Sequence, residues 1–249
     1  RIKDAKNKGG SVQVSVKIKN CGVWVDSAAT WVDSEVIRQN EHGVTYEELE
    51  GKDCYLGLDL SSAKDLTVVG YLFPNIRPGI HAYYVQCHIP KEKLNNNEDF
   101  IDYQLWVDEG WLIVHEGNVI DHDIVSSKAL EYMKTVNVKG IGFDVRHAYG
   151  GVITTIAKNG YEDICSPTAQ GFKLSPAVIT TEAALEKKKY NFFNNPVTAW
   201  NFSNVVMKIG EQGDYFPDKS KGANKIDIIS ALLTAETERN HREQGKTKV

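Results

Sequence analysis

The sequence predicts an α/β protein: a mixed β-sheet with helices on both of its faces. Three apolar runs typical of strands follow one another with short connections, which favours antiparallel pairing. These runs are CYLGLDL (54–60), DLTVVGYLF (65–73) and HAYYVQCHI (81–89). From about residue 100, helical and strand-like patterns alternate to the end of the chain. That alternation is typical of strands covered by helices.

The individual elements follow from local patterns along the chain. PNIRPG (74–79) predicts the turn between the second and third strands, because Pro and Gly interrupt regular structure. A helix is predicted around 100–109, and the strand WLIV (111–114) follows it. The later predictions are a helix at 120–137, a strand at 139–144, a helix at 147–159, a strand near 163–165, a helix at 175–189, a loop at 191–200, a helix or strand at 201–208, and a helix running through IDIISALL (226–233).

One main domain is predicted, residues 51–240, because no boundary is evident after residue 50. Residues 1–50 are predicted to form a basic N-terminal arm followed by a linker or helix. Lys and Arg far outnumber acidic residues in 1–19, and residues 40–52 are polar. Residues 241–249 are predicted to form a flexible tail.

Composition excludes several classes of protein. Of the 249 residues, 41% are hydrophobic, 10% aromatic and 25% charged, which excludes collagen-like, mucin-like and wholly disordered chains. The formal net charge of −4 excludes a uniformly basic nucleic-acid coat but allows local basic patches. Four widely spread cysteines predict buried thiols in a reducing compartment. No apolar run approaches the roughly 20 residues of a membrane helix. The Lys-rich N-terminus is no signal peptide, and the start at Arg1 rather than at Met predicts a fragment of a longer protein.

Three acidic residues occur where an apolar element begins or ends. Asp59 interrupts the strand YLGLDL, Asp144 ends the strand GIGFD, and Asp227 lies at the start of an apolar helix. If the two strands are neighbours and the helix packs beside them, the three carboxylates converge at one sheet edge, where α/β proteins place their sites. Mutually repelling carboxylates need a cation, and an all-oxygen site suits Mg²⁺ or Mn²⁺. Two such ions about 3.5–4 Å apart could activate water and stabilise the leaving oxygen of a phosphodiester.

Each of these acids also has a purely structural explanation. An Asp at the end of a strand commonly forms a turn or caps a helix. An Asp in the first turn of a helix is stabilised by the helix dipole. It is their combination in a strand, a second strand and a helix that favours a site.

Several short motifs follow one another in a fixed order over about residues 20–238. They are YLGLDLSSAKDLTVV (55–69), Y-x-x-W-x-x-x-G-W-L from Tyr103, GNVID (117–121), IGFD (141–144), QGFKLSPA (170–177), NNPVTAWNFSN (194–204) and PDKSKGANKID (217–227). Taken in this order, they resemble the nuclease domain of the large terminase subunits of tailed bacteriophages.

The resemblance implies an RNase H-like fold, in which an antiparallel three-strand meander is followed by parallel strands. It also implies a metal-dependent endonuclease that cuts concatemeric, double-stranded viral DNA. The catalytic and metal-binding acids of the family correspond to Asp59, Asp144 and Asp227, and Asp65 matches an auxiliary acid. They would hold Mg²⁺ or Mn²⁺, as two ions, with a metal-activated water as nucleophile.

The resemblance further implies partners and a location. The complete protein would carry an ATPase domain and work with a small terminase subunit and a portal in the host cytoplasm, without a membrane. No G-x-x-x-x-G-K-[ST] occurs here, and Gly245-Lys246-Thr247 lacks the earlier glycine. The chain therefore resembles an isolated nuclease half. Trp24 and Trp31, spaced as on one helical face, belong either to the interdomain segment or to this domain's own core.

Contact with DNA requires local positive charge, and Lys219, Lys221 and Lys225 provide it immediately before Asp227. Lysines of this kind contact phosphates, so we expect little sequence specificity. Two alternatives remain open. One is a nuclease of the same fold that resolves Holliday junctions, and the other is a non-catalytic docking module of the packaging motor.

Overall fold

A computed structural model of the chain describes residues 31–32, 34–61, 66–95, 103–147, 151–210, 214–218 and 225–245. In these residues the strands are β1 (Asp53–Asp59), β2 (Thr67–Arg77), β3 (Ile80–Pro90), β4 (Leu112–His115), β5 (Asn137–Phe143), β6 (Cys165–Pro167), β7 (Tyr190–Asn191), β8 (Met207–Ile209) and β9 (Tyr215–Pro217). The helices are α1 (Ser34–Arg38), α2 (Tyr103–Asp108), α3 (His122–Met133), α4 (Val152–Ile156), α5 (Ser175–Glu186), α6 (Pro196–Ser203) and α7 (Asp227–Glu243). No described helix combines the length and apolar character needed to cross a membrane.

A mixed sheet forms the centre of the described structure, with the strand order β4-β3-β2-β1-β5-β6 and with β7 beside β3. Strands β1, β2 and β3 pair antiparallel, whereas β5 pairs parallel with both β1 and β6. The predicted antiparallel meander followed by parallel strands is confirmed. β8 and β9 form a separate antiparallel hairpin.

The turn between β2 and β3 is tighter than the sequence predicts. β2 continues past Pro74 to Arg77 through an irregular register, so that only Pro78 and Gly79 connect the strands. Gly79 has φ +75°, a backbone conformation that glycine adopts without steric cost.

The prediction of a loop at 191–200 is wrong, because helix α6 begins within it. Asn195 caps this helix: its side-chain oxygen accepts hydrogen bonds from the backbone N–H groups of Val197 and Thr198. Pro196 follows at the first helical position, where its missing N–H costs nothing. Residues 201–208 contain the end of α6 and the start of β8, so both open interpretations hold in part.

The helix predicted at 147–159 is shorter in the structure. α4 spans only Val152–Ile156 and passes into a turn of π-helix at Ala157–Tyr161. Gly160 in that turn has φ +98°, which no α-helix accommodates. The non-helical conformations of Asn159 and Gly160 thus end the helical segment close to the predicted boundary, whereas Val145–His147 form a 3₁₀ turn at the predicted start.

The segment before β1 packs against the domain. Trp31 is 2% exposed and contacts Phe202 of α6, so it belongs to this domain's own core. Trp24 lies outside the described residues. The Asn40 side chain donates to the Leu185 carbonyl at 2.9 Å and accepts from the Tyr190 N–H at 2.9 Å. These bonds attach the polar segment 40–52 to α5 and β7.

The core lies on both faces of the sheet. On one face, Val68 and Leu72 pack with α7, whose Ile228 and Leu232 are fully buried. Burying one such side chain stabilises the fold by roughly 1.5–3 kcal/mol. α5 and α6 cover the outer side of α7, while α3 and α4 contribute to the cluster on the opposite face. Three of the four cysteines are described, and all three are buried thiols, as predicted: Cys54, Cys87 and Cys165.

Two histidines form a buried pair between β3 and β4. The Asp121 N–H donates to His115 Nδ1 at 3.0 Å, so the His115 proton is assigned to Nε2, which contacts His88 Nδ1 at 2.8 Å. His88 must then carry its own proton on Nε2. Burial lowers the pKa of both rings, that of His88 to about 3, and a charge on His115 would lower the pKa of His88 further.

The fold is therefore expected to lose stability in mild acid through His88. Its folded pKa lies below the unfolded value of about 6.5, so between about pH 3 and 6.5 the unfolded chain binds the extra proton. The free energy of unfolding then falls as the pH falls, by about 2 kcal/mol between pH 7 and pH 5. Urea unfolding of His88→Asn should show a pH dependence weaker by this amount. The exposed His241→Asn is the control, and equal pH slopes in all three proteins would contradict the assignment.

Candidate metal centre at the edge of the sheet

Asp59 and Asp144 end neighbouring parallel strands. Leu58 of β1 is in register with Phe143 of β5, so the next residue on each strand is one of the two acids. Neighbouring strands lie about 4.8 Å apart. The backbones of Asp59 and Asp144 therefore lie side by side at the carboxyl edge of the sheet.

Both acids lie on the face of the sheet that α7 covers. A Cβ atom on Gly57 would overlap the Ala231 carbonyl of α7, and one on Gly142 would lie 2.9 Å from Thr234 Cγ2. Residues two positions apart on a strand share a face. Asp59 follows Gly57 by two residues and Asp144 follows Gly142 by two, so both are on the α7 side.

The direction of α7 brings Asp227 to the same edge. Along the helix, Ala231 lies against Gly57, whereas Glu238, nearer its C-terminus, lies against Gly140, earlier on β5. α7 thus runs antiparallel to β1 and β5, and its first residue lies toward the end of these strands. That residue is Asp227, which is only 7% exposed.

Two hydrogen bonds hold the start of α7 in place. The Tyr83 hydroxyl of β3 donates to the Ile228 carbonyl at 3.0 Å, and the Asn201 side-chain oxygen of α6 accepts from the Ile228 N–H at 3.0 Å. Both bonding side chains are fully or almost fully buried. The position of Asp227 is therefore fixed by the sheet on one side and by α6 on the other.

The electrostatics of β3 agree with this arrangement. Burial, and next the negative charge of Asp227, raise the pKa of the Cys87 thiol. Burial raises the pKa of Tyr83 well above its usual value, and Cys87 and Asp59 add to this. In the sheet register Val68 pairs with both Asp59 and Cys87, so both acids act on the same part of β3.

Asp144 is engaged by a cation from its own chain. Arg146 Nη2 donates to Asp144 Oδ2 at 2.9 Å, Arg146 Nε donates to Oδ1 at 3.3 Å, and the Arg146 backbone N–H donates to Oδ1 at 3.0 Å. The Asp144 side chain is 16% exposed and that of Arg146 is 71% exposed. The guanidinium therefore lies on the solvent side of a largely covered carboxylate. The hydrogen bonds and the negative charge of Asp144 raise the pKa of Arg146 above its usual value.

The donor set of these acids fits a divalent cation. Asp59, Asp144 and Asp227 supply only carboxylate oxygens, the donor type that Mg²⁺ and Mn²⁺ prefer. Within the described ranges, no three or more His, Cys, Asp or Glu side chains are gathered closely enough to hold one ion. The backbone positions of the three acids thus suit a cation, whereas their carboxylate oxygens are not yet close enough together to bind one ion jointly.

A groove of about 880 Å³ opens beside Asp144, between the ends of β5 and β6 and the β8–β9 hairpin. Among the described residues that line it, the cationic side chains are Arg146 and Lys208, and Asp218 is a second acid. Ser230 and Leu233 of α7 also line the groove. A chain of phosphates entering it would meet positive charge directly beside Asp144.

The sequence-predicted site residues fall into two groups. Asp59, Asp144, Asp227 and Lys225 are described, whereas Asp65, Lys219 and Lys221 lie outside the described residues. Lys225 is partly buried, and its carbonyl accepts from the Asn204 side chain at 3.1 Å. That bond places the residue two positions before Asp227 against the end of α6.

Sequence reasoning missed Arg146 and Lys208. The available signal for Arg146 was its position two residues after a candidate ligand. Lys208 gave no comparable signal, because its proximity to the groove depends on the β8–β9 hairpin.

Comparison with known proteins gives consistent matches. The family model described as "Terminase large subunit, endonuclease domain" matches residues 2–243. Protein YmfN of Escherichia coli strain K12 is 26% identical over 246 residues, which cover 93% of this chain and 53% of YmfN. The chain thus spans about half the length of this curated relative.

Two crystal structures share the fold. The HK97 bacteriophage large terminase has a TM-score of 0.74 at 24% sequence identity, and the match covers 84% of this chain and 43% of that chain. The large terminase nuclease from thermophilic phage G20c has a TM-score of 0.50 at 11% identity, covering 76% of this chain and 84% of that chain.

Proposed function

The chain belongs to the endonuclease-domain family of terminase large subunits, and from this membership we propose that it is a divalent-metal-dependent nuclease domain that hydrolyses double-stranded DNA during viral genome packaging. Its mixed sheet is RNase H-like. One observation carries the proposal: Asp59, Asp144 and Asp227 all lie at the same edge of the sheet. This follows from the pairing of β1 with β5 and from the direction of α7.

In the proposed reaction the three acids hold the metal ions, and Asp65 assists as an auxiliary ligand. Two bound Mg²⁺ or Mn²⁺ ions would supply an activated water and stabilise the leaving oxygen of the phosphodiester. Asp59 and Asp144 lie side by side on the sheet edge, and Asp227 approaches from the helix above. Asp227 is held by the bonds of Ile228 to Tyr83 and Asn201, so this ligand needs little reorganisation.

DNA would approach through the groove beside Asp144. Arg146 and Lys208 line that groove, and both can contact phosphate oxygens. We include Lys219, Lys221 and Lys225 as further phosphate contacts, because their segment leads directly into Asp227. Phosphate contacts carry no base information, so cleavage should show little sequence specificity.

In this proposal residues 51–240 are the nuclease domain, residues 1–50 lead into it as arm and linker, and residues 241–249 form a tail. The complete protein would add an ATPase domain and would act with a small terminase subunit and a portal. It would act in the host cytoplasm.

The direct test is a cleavage assay on supercoiled plasmid with Mg²⁺, Mn²⁺, Ca²⁺ or EDTA. We expect nicking and linearisation with Mn²⁺ or Mg²⁺, and none in EDTA, because the carboxylates alone provide no nucleophile. Linear duplex and a synthetic four-way junction are compared in the same buffer. Strong preference for the junction would favour a junction resolvase instead. A folded protein that cuts nothing under any metal would favour a docking module.

A further inference from the structure

Arg146 and Asp144 form a two-pronged ion pair across a short turn. The two side-chain bonds, at 2.9 and 3.3 Å, use both carboxylate oxygens of Asp144. A turn at this position needs only the backbone bond from the Arg146 N–H, which is also present. The guanidinium therefore adds a contact that the local backbone does not require.

This contact conflicts with a metal ion at Asp144. A carboxylate whose two oxygens already accept from a guanidinium has fewer lone pairs left for a cation. The fixed positive charge of Arg146 also repels a second cation at close range. A divalent ion can bind fully only when the guanidinium moves away.

The groove offers Arg146 an alternative partner. Arg146 and Asp144 both line it, and the Arg146 side chain is 71% exposed, so its guanidinium can turn without breaking core contacts. A guanidinium fork binds a phosphate with two parallel hydrogen bonds, much as it binds a carboxylate. A DNA phosphate in the groove would therefore compete with Asp144 for Arg146.

We propose that Arg146 is an internal counter-ion of the metal centre, which holds Asp144 while DNA is absent and moves onto a backbone phosphate when DNA enters the groove. Metal uptake and DNA binding are then coupled: each releases half of the same ion pair. The protein without DNA therefore binds metal weakly, and the metal centre fills fully only when DNA occupies the groove. This inference rests on the proposed function, because it takes Asp144 as a metal ligand.

The first measurement is Mn²⁺ affinity without DNA, determined on the full 249-residue chain from the electron paramagnetic resonance signal of free Mn²⁺. We expect Arg146→Gln to bind Mn²⁺ about five- to tenfold more tightly than wild type, since a competing cation is gone. Arg146→Lys, which keeps the charge without the fork, should lie between the two. Asp144→Asn should bind much more weakly, which identifies the site that is being measured.

Lys208→Gln is the matched control. It removes one positive charge from the same groove, but Lys208 lies on the β8–β9 hairpin rather than in the turn that carries the Arg146–Asp144 ion pair, so the Mn²⁺ affinity of this variant should change less than twofold. If Lys208→Gln tightens Mn²⁺ binding as much as Arg146→Gln does, general electrostatics explain the effect and the inference is wrong.

The second measurement is DNA affinity in Ca²⁺ as a function of salt. Arg146→Gln should weaken binding to duplex DNA and reduce the salt slope by about one. If wild type binds Mn²⁺ as tightly as Arg146→Gln does, the inference is wrong and the proposed function is unaffected. If neither wild type nor Arg146→Gln binds Mn²⁺ more tightly than Asp144→Asn does, both the inference and the proposed function are overturned.

Discussion

Replacing Asp144 by Asn is expected to lower plasmid cleavage at least about 1,000-fold. Loss of a partner that only orients a metal ligand typically costs 10- to 100-fold, and loss of the ligand itself should cost more. The asparagine side chain keeps the shape of the carboxylate but removes the charge that attracts a divalent cation. Initial cleavage rates in Mn²⁺ measure the effect.

The same substitution should leave the fold intact. Its structural cost includes the ion pair with Arg146, whose guanidinium is 71% exposed, and ion pairs screened by solvent in this way contribute about 1 kcal/mol or less. For Asp59→Asn we expect an equal or higher melting temperature, because one of several neighbouring negative charges is removed. Circular dichroism and thermal unfolding separate loss of activity from loss of structure.

Asp218→Asn is the matched control, because Asp218 is an acid in the wall of the same groove. It makes the same chemical change away from the ends of β1 and β5, so cleavage should fall less than about threefold. Full activity of Asp144→Asn, or an equal loss in Asp218→Asn, would remove Asp144 from the proposed centre.

The antiparallel pairing of β1, β2 and β3 could be predicted because three consecutive apolar runs with short connections leave few ways to pair. The candidate acids could be selected for a related reason. Asp59 and Asp144 each stand at the end of an apolar strand, and Asp227 begins an apolar helix, so their approximate positions follow from the elements themselves. What the pattern does not contain is the direction of α7 across the sheet, which depends on the glycines beneath it.

The position of α6 depends on a local capping pattern and on tertiary packing together. α6 follows Phe193 and Asn194, whose φ values of +57° and +51° are unusual for residues other than glycine. The helix forms there because Asn195 caps it and because Val197 and Phe202 are fully buried. Local propensity around these residues favours a loop, and packing reverses that preference.

The bond between Arg146 and Asp144 could not be predicted from the sequence. Two residues that are two positions apart lie on different faces of an α-helix, and on a strand they share a face but stand about 6.6 Å apart. They meet here because β5 gives way to a short 3₁₀ turn at Val145–His147. The conformation of that turn, rather than the spacing, determines which cation lies beside the candidate ligand.

Replacing Gly57 by Ala is expected to be the most destabilising of the substitutions considered. The added Cβ would overlap the Ala231 carbonyl and lie 2.6 Å from the Ala235 nitrogen, and both are backbone atoms of α7. A helix backbone cannot turn aside as a side chain can, so α7 must move as a unit. We expect a loss of about 3 kcal/mol in the free energy of unfolding, which lowers the melting temperature by about 6–12 °C.

Gly140→Ala separates this effect from a general cost of adding a methyl group to the sheet. The atoms nearest to its Cβ would be Glu238 Cγ and Oε1, both at 2.7 Å, and these belong to a side chain rather than to the backbone of α7. We expect less than half the loss of stability. Because displacement of α7 also displaces Asp227, Gly57→Ala should reduce cleavage at temperatures where it remains folded, whereas Gly140→Ala should not. A Gly57→Ala protein with wild-type stability would mean that α7 can move away from β1, and the position of Asp227 would then not depend on this contact.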